Sequence, residues 1–334
     1  MKVILLISNR LASPYLHKHM TPVALMKCGG KYLMEYLLSE ILSLSERPIE
    51  EVIFVTSSAV SKYHAPLKQI ATKFGLKTNI FTSLQDTTPL SALHAASDSL
   101  KGEILVVPSN VWFKSDINLD NLNDNVCFVR KITDPSEHTV AKVELNNTIT
   151  GFFEKPPEFV SDLSPVGICY FNKAEEIPEI LQYLMDNQIK EGITYDLNDV
   201  IIELQKKGEK FLPGVVDDLI SCESHSDFLQ VHKNIIGYFK SHQNIADSAN
   251  IVNTVIISPV YIGENVVISN SVIGPNVSVE ENSTIENAII ENSLVAEKSL
   301  VKNVRLVSSI LNCHSTYEGR ERTISLGEYS YIKE

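Results

Sequence analysis

Apolar residues recur about every six positions through the last third of the chain, and few folds accept that period. From Ile256 the isoleucine or valine positions run through Ile262, Ile268, Ile273, Val279, Ile285 and Ile290, in strides of 6, 6, 5, 6, 6 and 5. Small or turn-forming residues stand between them: Gly263, Asn265, Asn270, Gly274, Pro275, Asn276, Asn282 and Asn287. Three such strides close one coil of a triangular β-helix, with each apolar residue turned into a narrow interior. An antiparallel sheet would instead alternate with a period of two and break roughly every 8–12 residues. The spacing therefore predicts a left-handed parallel β-helix from about residue 250 to residue 334. A β-helix is a scaffold and names no activity, so function has to be read from what precedes it.

A chain of 334 residues has room for two domains. Its net charge of −12 argues against nonspecific nucleic-acid binding and against an anionic membrane surface, since both want basic patches. A phosphorylated small ligand needs only a few local cations and stays open. The five cysteines, Cys28, Cys127, Cys169, Cys222 and Cys313, are scattered and form no CxxC pair. They read as reduced thiols of a cytoplasmic protein. The opening MKVILLIS is too short for a signal peptide, and no run of 18 apolar residues predicts a membrane span. His17 and His19 form an HxH pair, read here as a solvated loop.

Residues 1–240 alternate between strand-like and helix-like runs. Val3–Ser8, Glu51–Thr56, Lys77–Phe81 and Glu103–Pro108 are strand-like. Lys31–Leu44, Ser61–Phe74 and Pro89–Leu100 have helical spacing. Continuous apolar strands alternating with helices predict a Rossmann-like sheet covered on both faces. Short strands then crowd together at Asn125–Lys131, Thr139–Leu145, Thr148–Glu154 and Val166–Asn172, as in a mixed extension of that sheet. Ala174–Asn187, Leu197–Lys207 and Ser226–Tyr238 are helical, and Phe211–Val216 is a strand. Ser241–Ser248 is polar and reads as a linker, while the tail from Thr316 to Arg322 is polar and Ile324-Ser325-Leu326-Gly327 after it reads as the start of one last coil.

This order resembles the sugar-1-phosphate nucleotidyltransferases, and particular residues carry the resemblance. Thr21-Pro22, Leu25, Gly30-Lys31, Leu33, Glu35 and Tyr36 match that family's segment after the nucleotide loop. Gln85, Ala92-Leu93 and Ala96 fit its base-binding stretch and the following helix. Phe153-Glu154-Lys155-Pro156 matches its EKP signature, and Val166-Gly167-Ile168 with Tyr170-Phe171 its next strand. Tyr195-Asp196-Leu197-Asn198-Asp199 resembles a late helix start. In the family a sugar phosphate attacks the α-phosphorus of a nucleoside triphosphate and pyrophosphate leaves. Such a step asks for backbone N–H groups near the phosphates, cations to offset charge, and carboxylates that hold Mg²⁺.

The chain departs from the family at each of these parts. Where a GGxGTRL loop is expected, the segment reads Ser8-Asn9-Arg10-Leu11-Ala12-Ser13-Pro14, without glycine. The family's lysine after proline aligns with Val23, and its metal-binding aspartates align with Asn110 and Ser221. Its GTA turn aligns with Thr88-Pro89-Leu90. Asp217 and Asp218 lie near Ser221 in the chain and join Asn110 as candidate metal ligands. Arg10, Lys18 and Lys27 are the candidate substitutes for the missing cations. The sugar-phosphate side is better kept. The resemblance implies substrate-binding roles for Gln85, Glu154, Lys155, Gly167 and Asp196, with Lys155 on the phosphate and Glu154 on a sugar hydroxyl.

Losing one charge-stabilising donor costs roughly 10²–10³ in rate, and here several that act on one triphosphate are gone together. The expectation is a family member impaired in catalysis that binds a sugar phosphate or nucleotide sugar as a regulatory subunit. The alternative is a divergent active transferase that uses Mg²⁺ and non-standard residues. An acyltransferase, suggested by the repeat alone, is remote, because Ile251–Leu311 contains no histidine. The expected partner is a second copy of the chain or an active paralogue, docked through Val267, Val272, Ile289, Leu294 and Val295 on the outer faces of the coil.

Overall fold

The first strand explains the sheet that forms around it. β1 (Lys2–Ile7) is KVILLI, apolar on both sides after its first residue, so it is stable only between two covered faces. After it come a short hairpin of β2 (Lys27–Cys28) and β3 (Lys31–Tyr32), α1 (Leu33–Ser43), β4 (Glu51–Ser57), α2 (His64–Lys73), β5 (Thr78–Ser83), α3 (Pro89–Ala95) and β6 (Ile104–Pro108). Then follow β7 (Val111–Lys114), β8 (Asn125–Lys131), β9 (Thr139–Val143), β10 (Ile149–Glu154), β11 (Leu163–Phe171), α4 (Ile177–Glu191), α5 (Leu197–Lys206), β12 (Phe211–Val215), β13 (Asp218–Ser221) and α6 (His225–Gly237). This computed structural model describes residues 1–7, 21–83, 88–120, 122–191, 195–239 and 244–319. They fall into two compact units, Met1–Met26 with Tyr32–Asp227, and Lys27–Lys31 with Phe228–Glu334.

In the first unit seven strands lie in the order β12-β8-β11-β6-β1-β4-β5. β6, β1, β4 and β5 are parallel, and β11 runs antiparallel to β6 and β8, so the sheet is mixed as expected. Val3 and Leu5 join Leu37 and Ile41 of α1 and Leu67 and Ile70 of α2 in one core, while Ile4 and Leu6 join Leu90 of α3, Leu181 of α4 and Val200 of α5 in the other. Each such side chain contributes about 1.5–3 kcal/mol on burial. Local signals start the helices. Thr88 accepts the Ser91 N–H at 3.2 Å, ahead of Pro89 in the first turn of α3.

Some elements differ from their sequence reading. Ser61–Phe74 is not one helix, because a 3-10 turn over Ser58–Tyr63 precedes α2. β7 and β13 were not anticipated; they form an antiparallel pair of their own. β7 is VWFK, four residues too short to show a period.

In the second unit the six-residue strides become three parallel sheets. Asn250 pairs with Val267 and Val267 with Thr284, steps of 17 residues, then Thr284 with Leu300 and Leu300 with Thr316, steps of 16. Ile262, Ile268, Ile273, Val279, Ile285 and Ile290 are all fully buried in its core. The asparagines between them take the left-handed turns, at φ 56° for Asn265, 49° for Asn270, 56° for Asn276, 60° for Asn282 and 51° for Asn287. Asparagine enters that region more easily than other residues with a β-carbon. Their amides also stack from coil to coil, as in Asn253 to Asn270 at 2.7 Å and Asn276 to Asn292 at 2.8 Å.

Two expectations about this unit are corrected. Leu294 and Val295 are buried, at 1% and 0% exposure, whereas Val267 and Ile289 are exposed at 41% and 47%. Val295 points into the coil, and Leu294 lies on an outward row with Tyr261 and Ser278 whose sheet faces α6. Thr316–Glu318, in the stretch read as polar, is exposed and forms a further strand of the coil, paired with Leu300–Lys302; residues 324–327 lie outside the described residues. The end of the expected linker is already structured, because Ile245 bridges to Ile262.

Candidate functional site

Chain order and spatial order part company between β1 and β6. From β1 the chain proceeds to β4 and β5 on one side, then returns to place β6 on the other. In open α/β sheets ligands bind beyond the carboxyl ends of the strands at such a reversal. Here the carboxyl ends are Ile7 and Pro108, with the Ser109 N–H bonded to the Leu6 carbonyl at 3.0 Å. The segment after β1, Ser8–Pro14 with Arg10, lies outside the described residues, as do Lys18 and Gln85.

Asn110 turns the chain from β6 into β7. β7 pairs with β13 so that Val111 faces Ser221, and the Cys222 N–H donates to the Asn110 carbonyl at 2.7 Å. The two positions aligned with the metal aspartates therefore do meet, as asparagine and serine. Asp218 faces Lys114 at the other end of this ladder, and the Asp217 N–H bonds to the Lys114 carbonyl at 3.1 Å. Three strand residues at about 3.3 Å each put the aspartates roughly 10 Å from Ser221. The structure thus does not gather Asn110, Asp217 and Asp218 into one ligand set. Mg²⁺ is usually held through one or two carboxylates, and a neutral amide oxygen with a serine hydroxyl does not fit it. No group of three or more histidine, cysteine, aspartate or glutamate side chains among the described residues could hold a metal ion.

Gly167 comes to the same end of the sheet. It sits in the irregular stretch of β11 between Pro165 and Cys169, at φ 74°, and a β-carbon there would lie 3.8 Å from Cγ of Pro108. Bulges next to sites are common because they re-aim the chain. Cys169, two residues on, is a buried thiol pushed well above its usual range by a hydrogen bond with Cys127 and by burial, with the Asp196 charge adding to both. Asp196 is thereby placed near β11. It also caps α5, accepting the Asn198 N–H at 2.7 Å while the Asp199 carboxylate accepts its own N–H at 2.7 Å.

Glu154 ends β10 opposite Thr139, and Lys155 follows at φ 41°, a left-handed conformation unusual for lysine. The Lys155 N–H donates to the His138 carbonyl at 3.0 Å, which holds that turn. Both side chains are exposed. His138 was not singled out from the sequence, since its contribution is a backbone oxygen. Val23 is 3% exposed and belongs to the buried interior. Thr88-Pro89-Leu90 serves as the cap and first turn of α3.

Lys27 is engaged elsewhere, in the second unit. Its ammonium bonds to Glu281 and, at 2.9 Å, to Glu297. Burial works against its charge, yet those two carboxylates raise it above the usual lysine range. Of the three candidate substitutes, Lys27 is the one within the described residues, and its ammonium is held by these two carboxylates.

Residues 16–214, more than half of the chain, match the family model described as nucleotidyl transferase. The mannose-1-phosphate guanylyltransferase catalytic subunit beta of Drosophila melanogaster is 26% identical over 261 residues, covering 73% of this chain and 66% of that protein. The bifunctional protein GlmU of Methanococcus vannielii is 27% identical over 252 residues, covering 71% of this chain and 56% of that protein. The chain thus spans less than two thirds of the length of these relatives. A UTP-bound UGPase from Acinetobacter baumannii has the same fold over 72% of this chain and 94% of its own, with a TM-score of 0.56 and 19% identity. No helix among the described residues is long and apolar enough to cross a membrane.

Proposed function

The chain belongs to the nucleotidyl transferase family, within the sugar-1-phosphate nucleotidyltransferase superfamily, and we propose that it binds a sugar phosphate or nucleotide sugar without turning over nucleoside triphosphate at an ordinary enzyme rate. The observation that carries this reading is the meeting of Asn110 with Ser221 and Cys222 beyond the end of β6, where neither position offers a carboxylate. Glycine-free Ser8–Pro14 and the engagement of Lys27 by Glu281 and Glu297 support it further. A triphosphate carries about four negative charges, and a protein of net charge −12 has little to hold it once its local cations are gone. Glu154, Lys155, Gly167 and Asp196 remain for the sugar-phosphate side.

In this reading the protein is a binding or regulatory subunit, and its coils, taken as left-handed, attach it to another copy or to an active paralogue. The support is a row of Val255, Val272 and Ile289, in register on successive coils, of which Val255 and Ile289 are 58% and 47% exposed.

The test is a thermal-shift series with sugar phosphates, nucleotide sugars and nucleoside triphosphates, with and without Mg²⁺, beside an assay of pyrophosphate exchange. A ligand at 100 times its Kd stabilises the fold by about 2.7 kcal/mol. Stabilisation by a sugar phosphate or nucleotide sugar, independent of Mg²⁺ and without exchange, is the expected result. Turnover at about 1 s⁻¹ or faster would replace this reading with that of a divergent, active transferase.

A further inference from the structure

Within the second unit, the turn between β2 and β3 is held against the coil by a set of polar contacts. The Gly29 N–H donates to Oγ of Ser278 at 3.2 Å, and that hydroxyl also lies 2.7 Å from Nε2 of the buried His232. The Gly30 N–H donates to Oε1 of Glu280 at 3.3 Å. Gly30 is at φ 82°, and a β-carbon there would stand 2.4 Å from the Tyr261 hydroxyl, so the turn presses directly on that ring. Lys27 ties the same hairpin to Glu281 and Glu297.

Glu280 is fully buried, and its Oε2 has no hydrogen-bond partner among the described residues. The titratable groups around it are Lys27 on the hairpin and Glu281, Glu297 and Tyr261 on the coil. Glu264 adds its field at Tyr261, and Cys313 lies in the field of Glu297. His232, on α6, is kept neutral by burial. The nearby cation is already shared by two carboxylates. A third, buried and with one oxygen unpartnered, has only the Gly30 N–H and the shared field of Lys27 to set against the cost of burying its charge. From this geometry we infer that the coil grips the Lys27–Lys31 hairpin through a neutral Glu280, and that loss of its proton opens the grip.

Burial, the largest influence, and the neighbouring glutamates push the Glu280 carboxyl up to about 8. Below that the acid is neutral and the hairpin stays seated. Above it the proton leaves to solvent, and the carboxylate gains water only if Gly30 and Tyr261 separate. The same hairpin is continuous in sequence with Thr21–Met26 on one side and α1 on the other. This inference does not depend on which ligand the first unit binds.

Hydrogen–deuterium exchange on the full chain tests it. Protection of the peptide containing Gly29 and Gly30, corrected for the intrinsic exchange rate, should fall about tenfold per pH unit between about pH 4.5 and 8, where the seated acid keeps a proton that the opened one releases, and level off above pH 8. Glu280→Gln cannot ionise and should keep that protection level through the whole range. Protection that stays level between about pH 5 and 8 in the wild-type protein, or the same fall in Glu280→Gln, would overturn the inference. If the variant does not fold, the carboxyl signals of glutamate-labelled wild-type protein decide. A midpoint near 8 for one glutamate is expected, and midpoints all below about 6 would refute it.

Discussion

The carboxyl ends of β1 and β6 and the corner of the coil at Glu280 handle charge in opposite ways. At the first, the positions that the family fills with charged groups hold Val23, Asn110 and Ser221. At the second, Glu280, Glu281 and Glu297 gather around Lys27, and one carboxyl is wholly buried. The coil's charges mostly answer one another, which stabilises a local arrangement and leaves little for a ligand. A site that takes up phosphates has to keep charges waiting for them. The difference teaches that charge density alone does not mark a ligand site; what decides is whether each charge already has its partner within the chain.

The sharpest way to break the contrast is Lys27→Met. It leaves Glu281 and Glu297 with no paired cation among the described residues, in a corner where the lysine side chain is 18% and the carboxylates 29% and 26% exposed. The expected cost is about 2–3 kcal/mol, below that of a fully buried pair. Chemical denaturation read by hydrogen exchange within the coil checks it, and pyrophosphate exchange should not change.

A pH series comes next. Glu280 has a folded pKa of about 8 against an ordinary 4.5, so between those values the folded state binds more protons and stability falls as pH rises. His232, lowered to about 4 by burial from an ordinary 6.5, works the other way, and its contribution is lost as pH falls from 6.5 to 4. The two oppose each other up to about pH 6.5, and above it only the Glu280 slope remains. Stability should therefore drop by about 2 kcal/mol between pH 6.5 and 8, from 1.4 kcal/mol per unit. Glu280→Gln should flatten that stretch of the curve.

On the other side of the contrast, Lys155→Ala should weaken binding of a sugar phosphate about tenfold or more, as for loss of one hydrogen bond to a charged group. Because Lys155 is exposed, the melting temperature should hardly move. Calorimetric titration separates the two effects. The smallest effect is expected from giving the first unit back its carboxylates. Asn110→Asp with Ser221→Asp places two acids at positions the β7–β13 ladder brings together. At millimolar Mg²⁺ the double variant should gain about 1 kcal/mol of stability that the parent does not.

Some of this could be read from the chain alone. The coil was legible because its period is local: each stride of five or six residues carries one inward aliphatic, five of the six strides from Ile256 to Ile290 also carry a turn asparagine, and both found their places. The sheet of the first unit was legible for the same reason, since KVILLI and ILVVP demand burial on both faces wherever they lie. The EKP and VGI stretches placed Glu154 and Gly167 on strands and Lys155 just past the end of one, although nothing local told that Gly167 would face Pro108. Lys27 looked like a free cation because its partners are 254 and 270 residues away in sequence. Leu294 looked like an outward apolar residue because a stride gives its direction and not what lies against it. Asp217 and Asp218 looked like neighbours of Asn110 because they are close to Ser221 in the chain, yet antiparallel register carried them to the far end of their ladder. Sequence by itself determined the elements and the faces they must bury, since those follow from propensity and period over a few residues. Only the tertiary structure decided which charges are already spent on one another, because a charge's partner is set by proximity in space, and hydrogen bonds and fields act over a few ångströms regardless of separation along the chain.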